Sequence, residues 1–208
     1  MVMLVVEPKL EEALKAERRA SGGDRWDEVW DGVYFMSPLP NVEHQLLVVM
    51  LTSALQEVLN DGTPGIAFPG IHVSDREVDW VNNYRCPDVA VFLQGMSARD
   101  LDTHLCGGPD FAVEIVSRDD RSREKLAFYA QVGVRELLIV DRDPWALEFY
   151  RLESGELRLS GTSTVDSAVQ LQSTVLPLNF RLVRGEKRPQ LEISQRDSQR
   201  DGGRQWQF

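Results

Sequence analysis

Phe111-Ala112-Val113-Glu114-Ile115-Val116-Ser117 is the stretch on which the fold turns. Five of its seven residues are apolar and three are branched at Cβ, so the segment reads as a strand covered on both faces. Glu114 stands in its middle, on the same face as Ala112 and Val116. A carboxylate there is costly unless it is paired, protonated or bound to a metal. The plain alternatives are a buried salt bridge or a strand end that emerges into water.

Toward the N-terminus lies a second apolar strand, Val89-Ala90-Val91-Phe92-Leu93, opened by Asp88 after Pro87. Proline and aspartate at a strand entrance are ordinary turn formers, and Pro109-Asp110 repeats the dipeptide. Asp88 is the better partner for Glu114, because a neighbouring strand would bring its carboxylate alongside. Asp110 would lie roughly 13 Å away along the same strand.

Toward the C-terminus a helix is predicted from about 120 to 132, ended by Gly133. At roughly 100° per residue, Leu126, Phe128, Tyr129 and Val132 span an arc centred almost on Lys125. Arg123, Glu124 and Gln131 lie opposite. The lysine therefore points inward, in a first turn where the macrodipole disfavours a cation. That position implies a carboxylate or phosphate partner, the alternative being a lysine that snorkels over apolar surface.

Residues 8–20 are strong helix formers, begun by Pro8 and stopped by Ser21-Gly22-Gly23. A hairpin is expected over 26–30 and 33–37, turning at Asp31-Gly32. A long helix follows at 42–59, capped by Asn41 and ended by Asn60-Asp61-Gly62. Strands are expected at 66–73, 89–93, 111–116, 137–140 and 147–152. This order predicts an α/β (α+β) fold with a central mixed β-sheet flanked by helices. It places one domain over 1–183, with an N-terminal helix, and a polar, flexible C-terminal tail over 184–208.

The chain has 208 residues, 42% hydrophobic and 27% charged, the composition of an ordinary globular domain. Its longest apolar run, 46–51, is far short of a bilayer span. The N-terminus lacks a basic region and a long apolar core, so no signal peptide and a cytoplasmic location are expected. Two cysteines, Cys86 and Cys106, cannot build a zinc site alone, and no disulfide is expected. Net charge is −10, from 33 acidic and 23 basic residues, which argues against a general nucleic-acid coat protein. It leaves a nuclease open, since a metal site itself needs carboxylates. Phosphate-loop, dinucleotide-binding and nucleophile-elbow patterns are all missing.

Asp88, Glu114 and Lys125 make joint chemical sense as a catalytic set. Two carboxylates suit Mg²⁺ or Mn²⁺, which keep several waters in their shell. An adjacent lysine can position the attacking water, help deprotonate it or stabilise developing negative charge. Ser117 could donate a hydrogen bond to the site, although a turn role is plainer. His44 faces inward with Leu47, Val48 and Leu51, as a core histidine by default or in proton transfer. Glu28 and Glu43 are candidate additional ligands. His72 and His104 belong to no zinc spacing.

Three stretches resemble the Uma-two family of restriction endonucleases, within the PD-(D/E)XK nuclease superfamily. They are Trp26-Asp27-Glu28-Val29-Trp30-Asp31-Gly32 with Pro38 and His44; Pro87-Asp88-Val89-Ala90-Val91-Phe92; and Val113-Glu114-Ile115-Val116-Ser117 leading to Arg123-Glu124-Lys125-Leu126-Ala127-Phe128-Tyr129. Gly133-Val134-Arg135-Glu136-Leu137 and Val140-Asp141 extend the likeness, which covers roughly residues 25 to 180. The resemblance implies a restriction-endonuclease-like core with Asp88 and Glu114 as metal ligands. It also implies that the superfamily lysine comes from the helix at Lys125, because Val116 occupies its common position two residues after Glu114. Arg118 stands where the family usually has proline, and Leu137-Leu138 replaces an aromatic pair.

The leading expectation is a Mg²⁺- or Mn²⁺-dependent endonuclease that hydrolyses DNA phosphodiesters, acting as a homodimer where two strands must be cut. From Arg118 to Lys125 four basic and three acidic residues leave a net of only +1, so DNA binding should be weak and salt-sensitive. The alternatives are a catalytically silent binding or assembly module built round an ion cluster, and a hydrolase of small phosphoesters.

Overall fold

The structure, a computed structural model, describes residues 8–116, 121–196 and 203–208. Ser117 and Arg118 lie outside the described residues. The first helix, α1 (Pro8–Ser21), leads to the hairpin Glu28–Trp30 and Val33–Phe35. Asp31 and Gly32 take φ values of 48° and 84°, the left-handed pair that a two-residue turn needs to match strand twist. The long helix α2 (Val42–Asn60) begins where Asn41 accepts a hydrogen bond from the His44 amide at 2.8 Å.

A six-stranded sheet forms the centre, in the order Glu156–Ser163, Trp145–Glu153, Glu136–Arg142, Phe111–Ile115, Val89–Leu93, Gly65–Pro69. Phe111–Ile115 and Glu136–Arg142 run parallel, joined by the crossover that carries Lys125; the other neighbours are antiparallel. The sheet is mixed, as the order of elements implied, and the architecture is α+β. Val89 pairs with Val113, so Asp88, one step outside the strand, comes level with Glu114.

All five residues of Phe111–Ile115 are buried. Phe111, Val113 and Ile115 share one core with Leu47, Leu51, Leu55 and Val58 of α2. Ala112 faces the other way, into a core with Phe128, Tyr129 and Leu137. The alternation of a strand thus places Glu114 on the second face, under the short helix α3 (Leu126–Gln131).

Three expectations need correction. Residues 184–208 are not a frayed tail where described: Gln190–Gln195 and Gln205–Gln207 join Leu171–Gln172 and Leu178–Val183 in a four-stranded sheet. Leu191 and Ile193 are fully buried and Phe208 nearly so, in the same core as α2. A strand with one covered face needs an apolar residue only at every second position, which a low average hydropathy conceals. The expected 120–132 helix is a 3₁₀ turn, Ser122–Lys125, running into the six-residue α3. The expected 66–73 strand breaks at Gly70, whose φ of 59° interrupts the pleat between Gly65–Pro69 and Val73–Ser74.

Candidate active site

Asp88 emerges from the entrance of its strand toward the backbone of Ile115. Its Oδ2 accepts the Ile115 amide at 2.7 Å, and its Oδ1 lies 2.8 Å from His44 Nε2. An ionised carboxylate only accepts, so His44 donates from Nε2. Nδ1 of His44 is buried and has no hydrogen-bond partner among the described residues.

Glu114 is 3% exposed, and its charge is met from three sides. Lys125 Nζ lies 3.1 Å from Oε1 and 3.0 Å from Oε2. The Tyr129 hydroxyl donates to Oε1, and Ser122 Oγ donates to Oε2 at 3.3 Å. Burial first, then the charges of Glu114 and Glu28, push the Tyr129 phenol well above its ordinary value. Tyr129 therefore stays protonated and remains a donor.

Glu28 completes the group from the hairpin. Its Oε1 accepts from Lys125 Nζ at 2.8 Å and from the Cys86 amide at 2.9 Å, while Oε2 accepts from Trp30 Nε1 at 2.7 Å. Lys125 thus bridges two carboxylates, which supplies the partner that its inward direction demanded. Burial, followed by the charges of Glu28 and Asp88, holds the Cys86 thiol well above its usual range, so it is no nucleophile.

One pocket is lined by Glu28, His44, Cys86, Asp88, Glu114 and Lys125, with Trp26, Pro38 and Pro40 on its apolar side. Of the sequence candidates, Asp88, Glu114, Lys125, His44 and Glu28 all meet here. Glu43 does not: it pairs with Arg142 at 3.1 Å and Arg188 at 2.9 Å. Asp110 is likewise elsewhere, accepting the Leu93 amide at 2.9 Å and pairing with Arg135 at 3.1 Å. His72 and His104 sit in an aromatic cluster around Trp80. Tyr129 was read from sequence only as a core residue. Its spacing of four from Lys125 on one helical face was the signal that it could reach the same carboxylate.

Among the described residues, no group of three or more His, Cys, Asp or Glu is gathered as a metal cage. Asp88 and Glu114 nevertheless offer the oxygen donors that suit a hard cation, and Mg²⁺-type ions use one or two carboxylates plus water. The set does not suit zinc, which wants four nitrogen or sulfur-rich ligands. Asp88 accepts two hydrogen bonds with about four lone-pair positions, so it has capacity to spare. Glu114 already accepts four from the described residues.

The sequence model of the Uma2 family, described as "Putative restriction endonuclease", matches residues 10–183. No curated protein matches the sequence. A solved structure, a "putative nuclease belonging to DUF820" from Anabaena variabilis, aligns with a TM-score of 0.52 at 18% identity, covering 64% of this chain and 75% of that one. At that identity the likeness concerns the fold alone.

Proposed function

This chain belongs to the Uma2 family described as putative restriction endonucleases, and we propose that it hydrolyses DNA phosphodiester bonds with Mg²⁺ or Mn²⁺ at the Asp88–Glu114–Lys125 pocket. The observation that carries this reading is the meeting of a strand-borne carboxylate, a second one at a strand entrance and one inward lysine in a single pocket. Asp88 and Glu114 are the residues that would hold the cation. A bound divalent ion supplies Lewis acidity and lowers the pKa of water. The His44 ring and the Ile115 amide fix both oxygens of Asp88, leaving its remaining lone pairs aimed by rigid elements. Tyr129 and Ser122 hold Glu114 from behind. Lys125 places an ammonium where negative charge on a phosphate would grow, and it can orient the attacking water. Glu28 holds the same ammonium from the hairpin side, so Lys125 would stay beside the reacting phosphate with a cation bound at Asp88 and Glu114.

Incubating supercoiled plasmid and single-stranded DNA at low salt with Mg²⁺, Mn²⁺ or EDTA, beside an Asp88→Ala/Glu114→Ala control, tests the proposal. Metal-dependent cutting that the control lacks is the expected result. No cutting by wild-type protein under any of these conditions would overturn it. The four hydrogen bonds on Glu114 favour a second reading, a silent module in which Lys125 simply neutralises buried carboxylates. That reading predicts no thermal response to Mn²⁺.

A further inference from the structure

The tripeptide Trp26-Asp27-Glu28 divides its side chains between two tasks. Trp26 and Glu28, two residues apart, both line the pocket, while Asp27 points away and is fully buried. Asp27 accepts from the Ser37 amide at 2.8 Å, from Arg18 and from the Tyr34 hydroxyl. Arg18 in turn donates to the Ser37 carbonyl at 2.7 Å. One buried carboxylate therefore ties Trp26 to the Ser37–Pro40 lip, where Pro38 and Leu39 are exposed.

The tryptophan ring has a built seat. A Cβ on Gly70 would overlap its six-membered ring, so only glycine leaves room for it. The Gly70 amide donates to the Asp88 carbonyl at 3.0 Å, so the seat of the ring is tied to the Asp88 backbone, and both side chains line the same pocket. A half-buried indole, fixed on one side by backbone and open to a charged pocket on the other, is a stacking surface. Four arginines around the site are meanwhile committed to carboxylates: Arg18 to Asp27, Arg121 to Glu124, Arg123 to Asp141 and Glu148, and Arg142 to Glu43. With a net charge of −10, backbone neutralisation is a poor source of affinity for a duplex.

We infer that the pocket takes single-stranded DNA, with an unpaired base stacked on Trp26 against the Pro38–Pro40 lip and the scissile phosphate beside Asp88. The inference rests on the nuclease reading above and names its substrate class. In duplex DNA both π-faces of each base are covered by the base pairs stacked above and below it, whereas an unpaired base can turn a face to an aromatic side chain.

Equilibrium binding without divalent metal, read by fluorescence anisotropy, tests it on wild-type protein. The probes are a short oligo(dT), an oligomer of the same length made of abasic deoxyribose units, and a blunt duplex. Oligo(dT) is expected to bind about 5- to 150-fold tighter than the abasic strand, the range of one base–aromatic stack. Trp26→Ala should bring oligo(dT) to the abasic level and leave abasic binding unchanged, while Trp26→Phe keeps most of the preference. Equal affinity of wild-type protein for the two strands, or tighter binding of the duplex, overturns the inference. So does a Trp26→Ala protein that loses both strands alike, since that marks a structural role. If plasmid is still cut in a metal-dependent way in any of those cases, only the stacking inference falls. If wild-type protein neither binds nor cuts any DNA, the nuclease reading falls with it.

Discussion

Lys125 is at once the most chemical and the most structural residue of the pocket. Its ammonium is shared between Glu28 at 2.8 Å and Glu114 at 3.0 Å, both nearly fully buried. Removing one partner of a buried ion pair strands the other charge, so Lys125→Met is expected to cost about 3–5 kcal/mol in urea unfolding. Loss of cleavage in that variant means something only when its folded fraction is measured alongside. Tyr129→Phe removes a single donor to Glu114 and keeps the ring, and it should cost about 1.5–3 kcal/mol. A cost near zero would mean that Glu114 does not carry a charge there. The inward direction of Lys125 was legible from helical spacing alone. That Glu28 would be its nearer partner was not, because 97 residues separate the two along the chain.

At the scale of elements, the C-terminal strands matter most. Phe208 exchanges backbone hydrogen bonds with Leu191 at 2.8 and 3.1 Å, and its ring joins the core of α2. Deleting residues 203–208 is therefore expected to lower the urea midpoint of the whole cooperative transition. An unchanged midpoint would make the segment an appendage. Phe180 stacks on both Phe111 and Phe149, with centroids 5.5 and 6.1 Å away, and so couples this small sheet to the central one. Phe180→Ala should cost about 3–5 kcal/mol, as large cavities in packed cores do. Helix α2, its Asn41 cap and the Asp31-Gly32 hairpin were all legible, since local chemistry sets each of them. The strands after 153 were not, because their apolar residues become a pattern only once the neighbouring sheet is known.

For the whole molecule, the relevant quantities are charge and linkage. A cation held only by the folded state raises stability by about 2.7 kcal/mol at a hundred times its dissociation constant. Wild-type protein is thus expected to melt at progressively higher temperature as Mn²⁺ is added, and Asp88→Asn should abolish the rise. A flat response would favour the silent module. The acidic net charge of −10 also predicts a shallow salt dependence, with a log–log slope for single strands no steeper than about −2. A much steeper slope would reveal a basic track that the paired arginines do not provide. The sequence by itself determined the covered strand at 111–115, the glutamate within it, the inward lysine and the mixed order of elements, because periodicity and local turn chemistry act over a few residues. Only the tertiary structure decided that Glu28 and Trp26 share the pocket with them, that Tyr129 and Ser122 donate to Glu114, and that the C-terminal strands close the core. Those contacts depend on strand register, helix packing and the missing Cβ at Gly70, all set by residues far apart in the chain.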